Sequence, residues 1–173
     1  MTLAKLPLIK EDDIPVKLSL NLTKPARFSV ELFWASATDL DAHALLASNT
    51  GNGAKVASFD QVLSTFNPTL PLADGSSPTR MSGDKRPFKT PCGCLHHSGD
   101  ARTGVVSDVD EIITIDGALI PNGVNEIPIF VTIHPSGSNT FADVQSAGIR
   151  IKDTAGKVLG EYSLTDQFGQ FSA

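Results

Sequence analysis

In Arg27-Phe-Ser-Val-Glu-Leu-Phe-Trp34 every second residue is large and apolar: Phe28, Val30, Leu32 and Trp34. Successive side chains of a strand point to opposite faces, so this spacing gives one apolar and one polar face, as in a half-buried strand. Val16-Lys-Leu-Ser-Leu-Asn-Leu22 alternates in the same way. Further strands are expected at Ala42–Ala47 and Lys55–Phe59 around the turn Asn49-Thr-Gly-Asn-Gly53, then at Glu111–Asp116 and Glu126–His134. Ala147–Lys152 and Lys157–Leu164 complete the set across Asp153-Thr-Ala-Gly156. No long segment carries a 3.6-residue apolar period, and only Thr140–Ser146 suggests a helical turn. Short strands separated by turns predict an all-β chain folded as a two-sheet β-sandwich.

Two stretches lack this alternation. Residues 1–15 read as an extended, proline-containing N-terminal arm ending in acids. Residues 64–91 are rich in Pro, Ser, Thr and Gly and read as a long proline-rich insertion loop. A loop of that length inside a compact domain is usually functional or disordered. The expected organisation is thus an arm (1–15), a sandwich (16–165) carrying the 64–91 loop, and a C-terminal tail (166–173).

With 173 residues, 40% of them apolar, the chain can bury a core without disulfide or metal staples. Its net charge of −5 argues against a nucleic-acid groove, which needs a basic stripe. No apolar run approaches the ~18 residues of a membrane span. The apolar patch in the first ten residues reads as too short for a secretory signal, which sets the expectation of a cytoplasmic or virion location.

The polar residues most suggestive of function are acids. Asp39-Leu-Asp41 stands at the edge of one strand, and Asp100, Asp108, Asp110 and Glu111 crowd the stretch before another. Carboxylates this close repel one another unless a cation or basic group neutralises them. Residues two apart on a strand share a face, so Asp39 and Asp41 can each offer an oxygen to one ion while Leu40 faces the core. Calcium takes six to eight oxygens at about 2.3–2.6 Å, often from several carboxylates on loops. The pattern is not that of an EF-hand, which needs Asp-x-Asp-x-Asp-Gly and a Glu at the twelfth position. His134, at a strand end, reads as a hydrogen-bonded structural residue, His43 as one that could flank the cation, and Trp34 as core.

Cys92-Gly-Cys94 leaves three readings open besides a bridge between the two. A bridge between the two would close a ring that ordinary disulfide geometry disfavours. Two thiolates with His96 and His97 would make a zinc-like set. Free thiols, or pairing with another subunit, are the remaining readings. No nucleophile elbow, phosphate loop or His-Glu-x-x-His helix is present, so an enzyme is not expected.

Asp39-Leu-Asp-Ala42, His97-Ser-Gly-Asp100, Thr103-Gly104 and Asp110-Glu111 together resemble the TerD-domain family, known from tellurium-resistance and stress proteins. The resemblance continues through Phe130-Val-Thr-Ile-His134, Phe141, Val144 and Gly160-Glu-Tyr-Ser-Leu164. It implies a compact β-sandwich that binds calcium through acidic loops, with Asp39, Asp41, Asp100, Asp108, Asp110 and Glu111 in or near the metal site. The family loop reads Gly-Asp-Asn-x-Thr-Gly-x-Gly-x-Gly-Asp-Asp-Glu. Here Ala101 stands for the Asn, Val106 for a Gly and Val109 for an Asp, and fewer charged oxygens imply weaker binding.

Two functional classes follow. One is a non-enzymatic calcium-binding module of a tellurium-resistance or stress-response system, acting in protein–protein assembly. The other is a structural component of a phage virion, a decoration or tail protein reusing the fold with calcium weak or absent. In both, the partners are other protein subunits, in a homo- or hetero-oligomer, reached through the arm and the 64–91 loop. An extended arm can add a strand to a neighbour's sheet edge.

Overall fold

The computed structural model describes residues 26–76, 80, 84–104, 109–134, 143–144 and 146–164. The Val16–Leu22 strand, the 1–15 arm and the 166–173 tail lie outside them, as does most of Thr140–Ser146.

Among the described residues eleven strands run in chain order: β1 (Arg27–Phe33), β2 (Leu40–Leu45), β3 (Ser48–Asn49), β4 (Ala54–Lys55), β5 (Val62–Leu63), β6 (Phe88–Lys89), β7 (Leu95–His97), β8 (Glu111–Asp116), β9 (Ile129–Ile133), β10 (Gly148–Asp153) and β11 (Val158–Ser163). They form a six-stranded sheet in the order β11-β10-β1-β8-β7-β6 and a three-stranded sheet in the order β5-β2-β9. β3 and β4 pair separately as a short ribbon. All pairings between these strands are antiparallel. The molecule is an all-β sandwich.

The alternation in β1 explains how the sheets face each other. Val30, Leu32 and Trp34 are buried, with Phe28 packed against the same cluster. In register with them, Phe28 meets Ile115, Val30 meets Ile113 and Leu32 meets Glu111 on β8. From the second sheet, Leu40, Ala42 and Ala44 of β2 point into the same core. A fully buried side chain such as Leu32 contributes roughly 1.5–3 kcal/mol, so β1 is both the centre of the large sheet and a main source of its cohesion.

One expectation needs revision. Lys55–Phe59 is not a strand: only Ala54–Lys55 pairs, and a 3-10 turn follows at Phe59–Gln61. Gly51 and Gly53 take positive φ angles of 98° and 88°, and Asn49 Oδ1 accepts a hydrogen bond from Gly51 N at 2.9 Å. These turns join the two short strands, and beyond Lys55 the Ala57 N–H donates to Gln61 Oε1 at 2.9 Å and the Gln61 N–H to the Ser58 carbonyl at 3.1 Å, local bonds that take the place of strand pairing. The 64–91 segment, in its described part, is anchored by individual side chains. Leu70, Leu72, Arg80 and Phe88 are buried, Leu72 bridges to Phe88, and Asn67 Nδ2 donates to the carbonyls of Phe59 and Val62 at 2.8 and 2.9 Å. Backbone and side-chain hydrogen bonds hold the described part of the segment, which composition alone does not reveal.

Candidate metal site

The site grows from the N-terminal end of β2. Leu40 points into the core with no exposed surface, so Asp39 and Asp41 on either side of it share the opposite face. After β7 the chain leaves the large sheet at Ser98 and places Asp100 against them. One carboxylate oxygen from each of Asp39, Asp41 and Asp100 lies within 4.8 Å of the others. Among the described residues this is the one group of acids, histidines and cysteines that meets such a spacing.

The local electrostatics are those of anions packed without enough positive charge. Burial raises Asp39 from its ordinary 3.8 to about 6, with the charges of Asp41 and Asp100 adding to it. Asp41 is likewise pushed up to about 6, by burial first, with Glu111 and Asp100 adding and the Thr65 hydroxyl pulling the other way. Thr65 donates to Asp41 Oδ1 at 2.7 Å, and Arg102 Nε donates to Asp100 Oδ2 at 3.2 Å. Asp39 Oδ1 and Asp41 Oδ2 are buried with no hydrogen-bond partner. A buried oxygen left this way costs about 1–3 kcal/mol. An all-oxygen set with orphaned atoms fits a hard cation such as calcium rather than a thiophilic one. Three carboxylates fall short of six to eight oxygens, so backbone carbonyls and water would supply the rest.

The other acids singled out by the sequence stand differently. Glu111 follows the inward parity of Ile113 and Ile115 on β8 and is wholly buried. Its Oε2 accepts from Ala42 N at 2.8 Å across the sandwich, and its Oε1 accepts from Ala101 N at 3.1 Å. His97, inward on β7, accepts from Gly99 N through Nδ1 at 3.1 Å. That leaves Nε2 as the N–H, 3.2 Å from the Ala42 carbonyl and 3.5 Å from Glu111 Oε2. Together Glu111 and His97 hold both backbone groups of Ala42, the residue after Asp41. Asp110 fastens the end of β1: its Oδ2 accepts from Trp34 N, and its own N–H donates to the Leu32 carbonyl, both at 2.9 Å. Asp108 lies outside the described residues. Glu111 and Asp110 thus tie the acidic stretch to both sheets, while Asp39, Asp41 and Asp100 converge.

His43 and His134 border the site. His43 Nε2 is 2.9 Å from Thr132 Oγ1, and burial, with His97 adding, lowers its pKa to about 4. The His134 N–H donates to the Asp39 carbonyl at 2.8 Å. The Phe66 ring lies 6.0 Å from the His134 ring and 5.7 Å from the His43 ring.

A family model for the TerD domain matches residues 86–173, half of the chain. The chain belongs to the TerD family. Among curated relatives, the TerD sequence is 34% identical over 82 residues to the tellurium resistance protein TerZ of Serratia marcescens, covering 47% of this chain and 42% of that one. It is 37% identical over 85 residues to the chemical-damaging agent resistance protein B of Clostridium acetobutylicum, covering 47% of this chain and 60% of that one. This TerD chain therefore spans from two fifths to three fifths of these relatives' length. A crystal structure of a Streptomyces coelicolor homologue of the telluride resistance protein TerD superposes with a TM-score of 0.58 at 19% identity, covering 83% of this chain and 75% of that one. A second crystal structure, of a protein of unknown function, gives 0.59 at 19% identity, covering 83% of this chain and 74% of that one. At that identity the likeness concerns the fold.

Thr65 and Arg102 are the contributors that sequence reasoning missed. Thr65 sits in a stretch without periodicity, and no spacing ties it to Asp41. Arg102, two residues beyond Asp100, had a usable signal in being a lone cation inside an acidic cluster.

Proposed function

We propose that this TerD chain is a non-enzymatic calcium-binding module in which the ion joins the start of β2 to the Asp100 segment and steadies a surface for partner proteins. The reading rests chiefly on the convergence of Asp39, Asp41 and Asp100 with two buried oxygens lacking partners. Bringing a dication to those oxygens removes both the mutual repulsion and the cost of stranding them.

The partner role is supported by what surrounds the acids. Phe66 follows Thr65 and is 45% exposed, and Phe130, cross-strand from His43, is 49% exposed. Exposed aromatics beside a cation site are suited to a protein interface, where such residues are enriched. The resistance names carried by two relatives support a stress-response setting over a virion role. Among the described residues no helix is long and apolar enough to cross a membrane.

Thermal denaturation of chelator-stripped protein tests the ion. A ligand present at a hundredfold excess over its dissociation constant stabilises the fold by about 2.7 kcal/mol. The melting temperature is expected to rise with calcium and to stay put with Asp41→Asn. A wild-type melting temperature unmoved up to millimolar calcium would sink the proposal.

A further inference from the structure

A different chemistry is built into the turn between β6 and β7, where Thr90-Pro-Cys-Gly-Cys94 reverses the chain. Gly93 N donates to the Thr90 carbonyl at 2.8 Å, and Thr90 N donates to the Leu95 carbonyl at 3.0 Å. Gly93 takes φ of +73°, a conformation that leaves the flanking side chains on one side of the turn. The result brings Cys92 Sγ and Cys94 Sγ to 3.0 Å. The Thr90 hydroxyl lies 3.3 Å from Cys92 Sγ and 3.9 Å from Cys94 Sγ. Both thiols are free; Cys92 is exposed and Cys94 buried.

The histidines do not complete a four-ligand set. His96 Nε2 is 3.1 Å from the Gly93 carbonyl. His97 points into the core, its ring stacked at 4.6 Å on Phe88. Zinc needs four ligands in a tetrahedron, and no third nitrogen, sulfur or carboxylate joins these sulfurs among the described residues. A centre held between two sulfurs on opposite sides would separate them by about twice a ~2.3 Å metal–sulfur bond, far more than 3.0 Å. The short separation suits a thiophilic centre that takes both sulfurs on the same side, as trivalent arsenicals do.

We infer that Cys92 and Cys94 form a dithiol site for a trivalent, thiophilic metalloid, independent of the aspartate cluster. The exposed Cys92 reacts first. Burial works to raise its pKa, but hydrogen bonds from Thr90 and Cys94 outweigh it and hold the thiol below its ordinary value, favouring the nucleophilic thiolate. Cys94, pushed up to about 12 chiefly by burial, keeps its proton until the centre is at hand. With an organoarsenic(III) oxide, each sulfur forms one bond to arsenic and the arsenic–oxygen bond breaks. The two thiol protons leave with that oxygen as water, and arsenic stays trivalent.

Phenylarsine oxide is the probe, added to the whole reduced protein and read by native mass spectrometry. The expected product is one phenylarsenic group per chain with loss of two thiol hydrogens, stable to excess monothiol and removed by a dithiol. Cys92→Ser, at an exposed position, abolishes the monothiol-resistant adduct, and Cys94→Ser does the same where it remains folded. Adduct formation undiminished in Cys92→Ser overturns the inference. So does a wild-type protein in which iodoacetamide labels Cys92 while phenylarsine oxide gives no monothiol-resistant product. Both outcomes are read equally with and without calcium, so they are separate from the fate of the aspartate site.

Discussion

Thr65 donates its hydroxyl to Asp41 Oδ1 at 2.7 Å, joining a segment without readable periodicity to the start of a core strand. Both residues are buried, so this hydrogen bond offsets part of the desolvation of that carboxylate oxygen. Thr65→Val keeps the shape and removes the donor. Calcium-free protein is expected to lose about 1–3 kcal/mol in urea denaturation, the cost of stranding a buried polar atom. The deficit should shrink when calcium is present, because the ion then satisfies the carboxylate.

Glu111 bears on stability more than on the ion. Glu111→Ala leaves the buried Ala42 N–H and the half-buried Ala101 N–H without their acceptor, an expected loss of about 1–3 kcal/mol for the first and less for the second. Glu111→Gln keeps one accepting oxygen and should lose roughly half as much. Urea denaturation of the two variants checks the order.

Gly99 fixes where Asp100 stands. Its φ is +104°, and an added Cβ would lie 2.1 Å from the Lys85 carbonyl oxygen. Gly99→Ala therefore strains the backbone by about 1–3 kcal/mol and must shift the 84–86 or 98–100 backbone. A lower melting temperature together with weakened calcium binding is expected; unchanged calcium affinity would separate Asp100 from the site.

The pH dependence has a definite sign. Asp39 and Asp41 sit at about 6 when folded against an ordinary 3.8. Between those values the native state holds more protons than the unfolded chain. Their contribution to calcium-free stability is therefore full below the lower value and is lost as pH rises through the upper one. His43, lowered to about 4 from 6.5, acts oppositely over nearly the same window. Comparison of wild type with Asp41→Asn cancels the histidine: wild-type stability should fall more steeply from about pH 4 to 6 than that of the variant. Equal slopes would show that Asp41 is not titrating in that range.

Much of the sandwich was legible because a strand's period of two survives in sequence. Phe28, Val30, Leu32 and Trp34 announced β1 and its inward face, and Asp39-Leu-Asp41 announced two acids sharing a face opposite a core leucine. The roles within the acidic stretch were not legible. Glu111 looks like its neighbours until its parity with Ile113 and Ile115 on a paired strand sends it between the sheets, and only three-dimensional register decides that. The described part of residues 64–91 hid its packing because it is held by single anchors, Leu70, Leu72, Arg80 and Phe88, rather than by a repeating face. A pattern search has nothing to find where each contact is individual.

Calorimetric titration of calcium into chelator-stripped wild type, Asp41→Asn and Asp100→Asn bears most directly on the site. Saturable binding of a single ion per chain is expected in the wild type, with at least a tenfold loss of affinity, worth about 1.4 kcal/mol, in each variant. Folded wild-type protein giving no binding heat up to millimolar calcium, or variants binding as tightly as wild type, would contradict a shared ion at Asp39, Asp41 and Asp100.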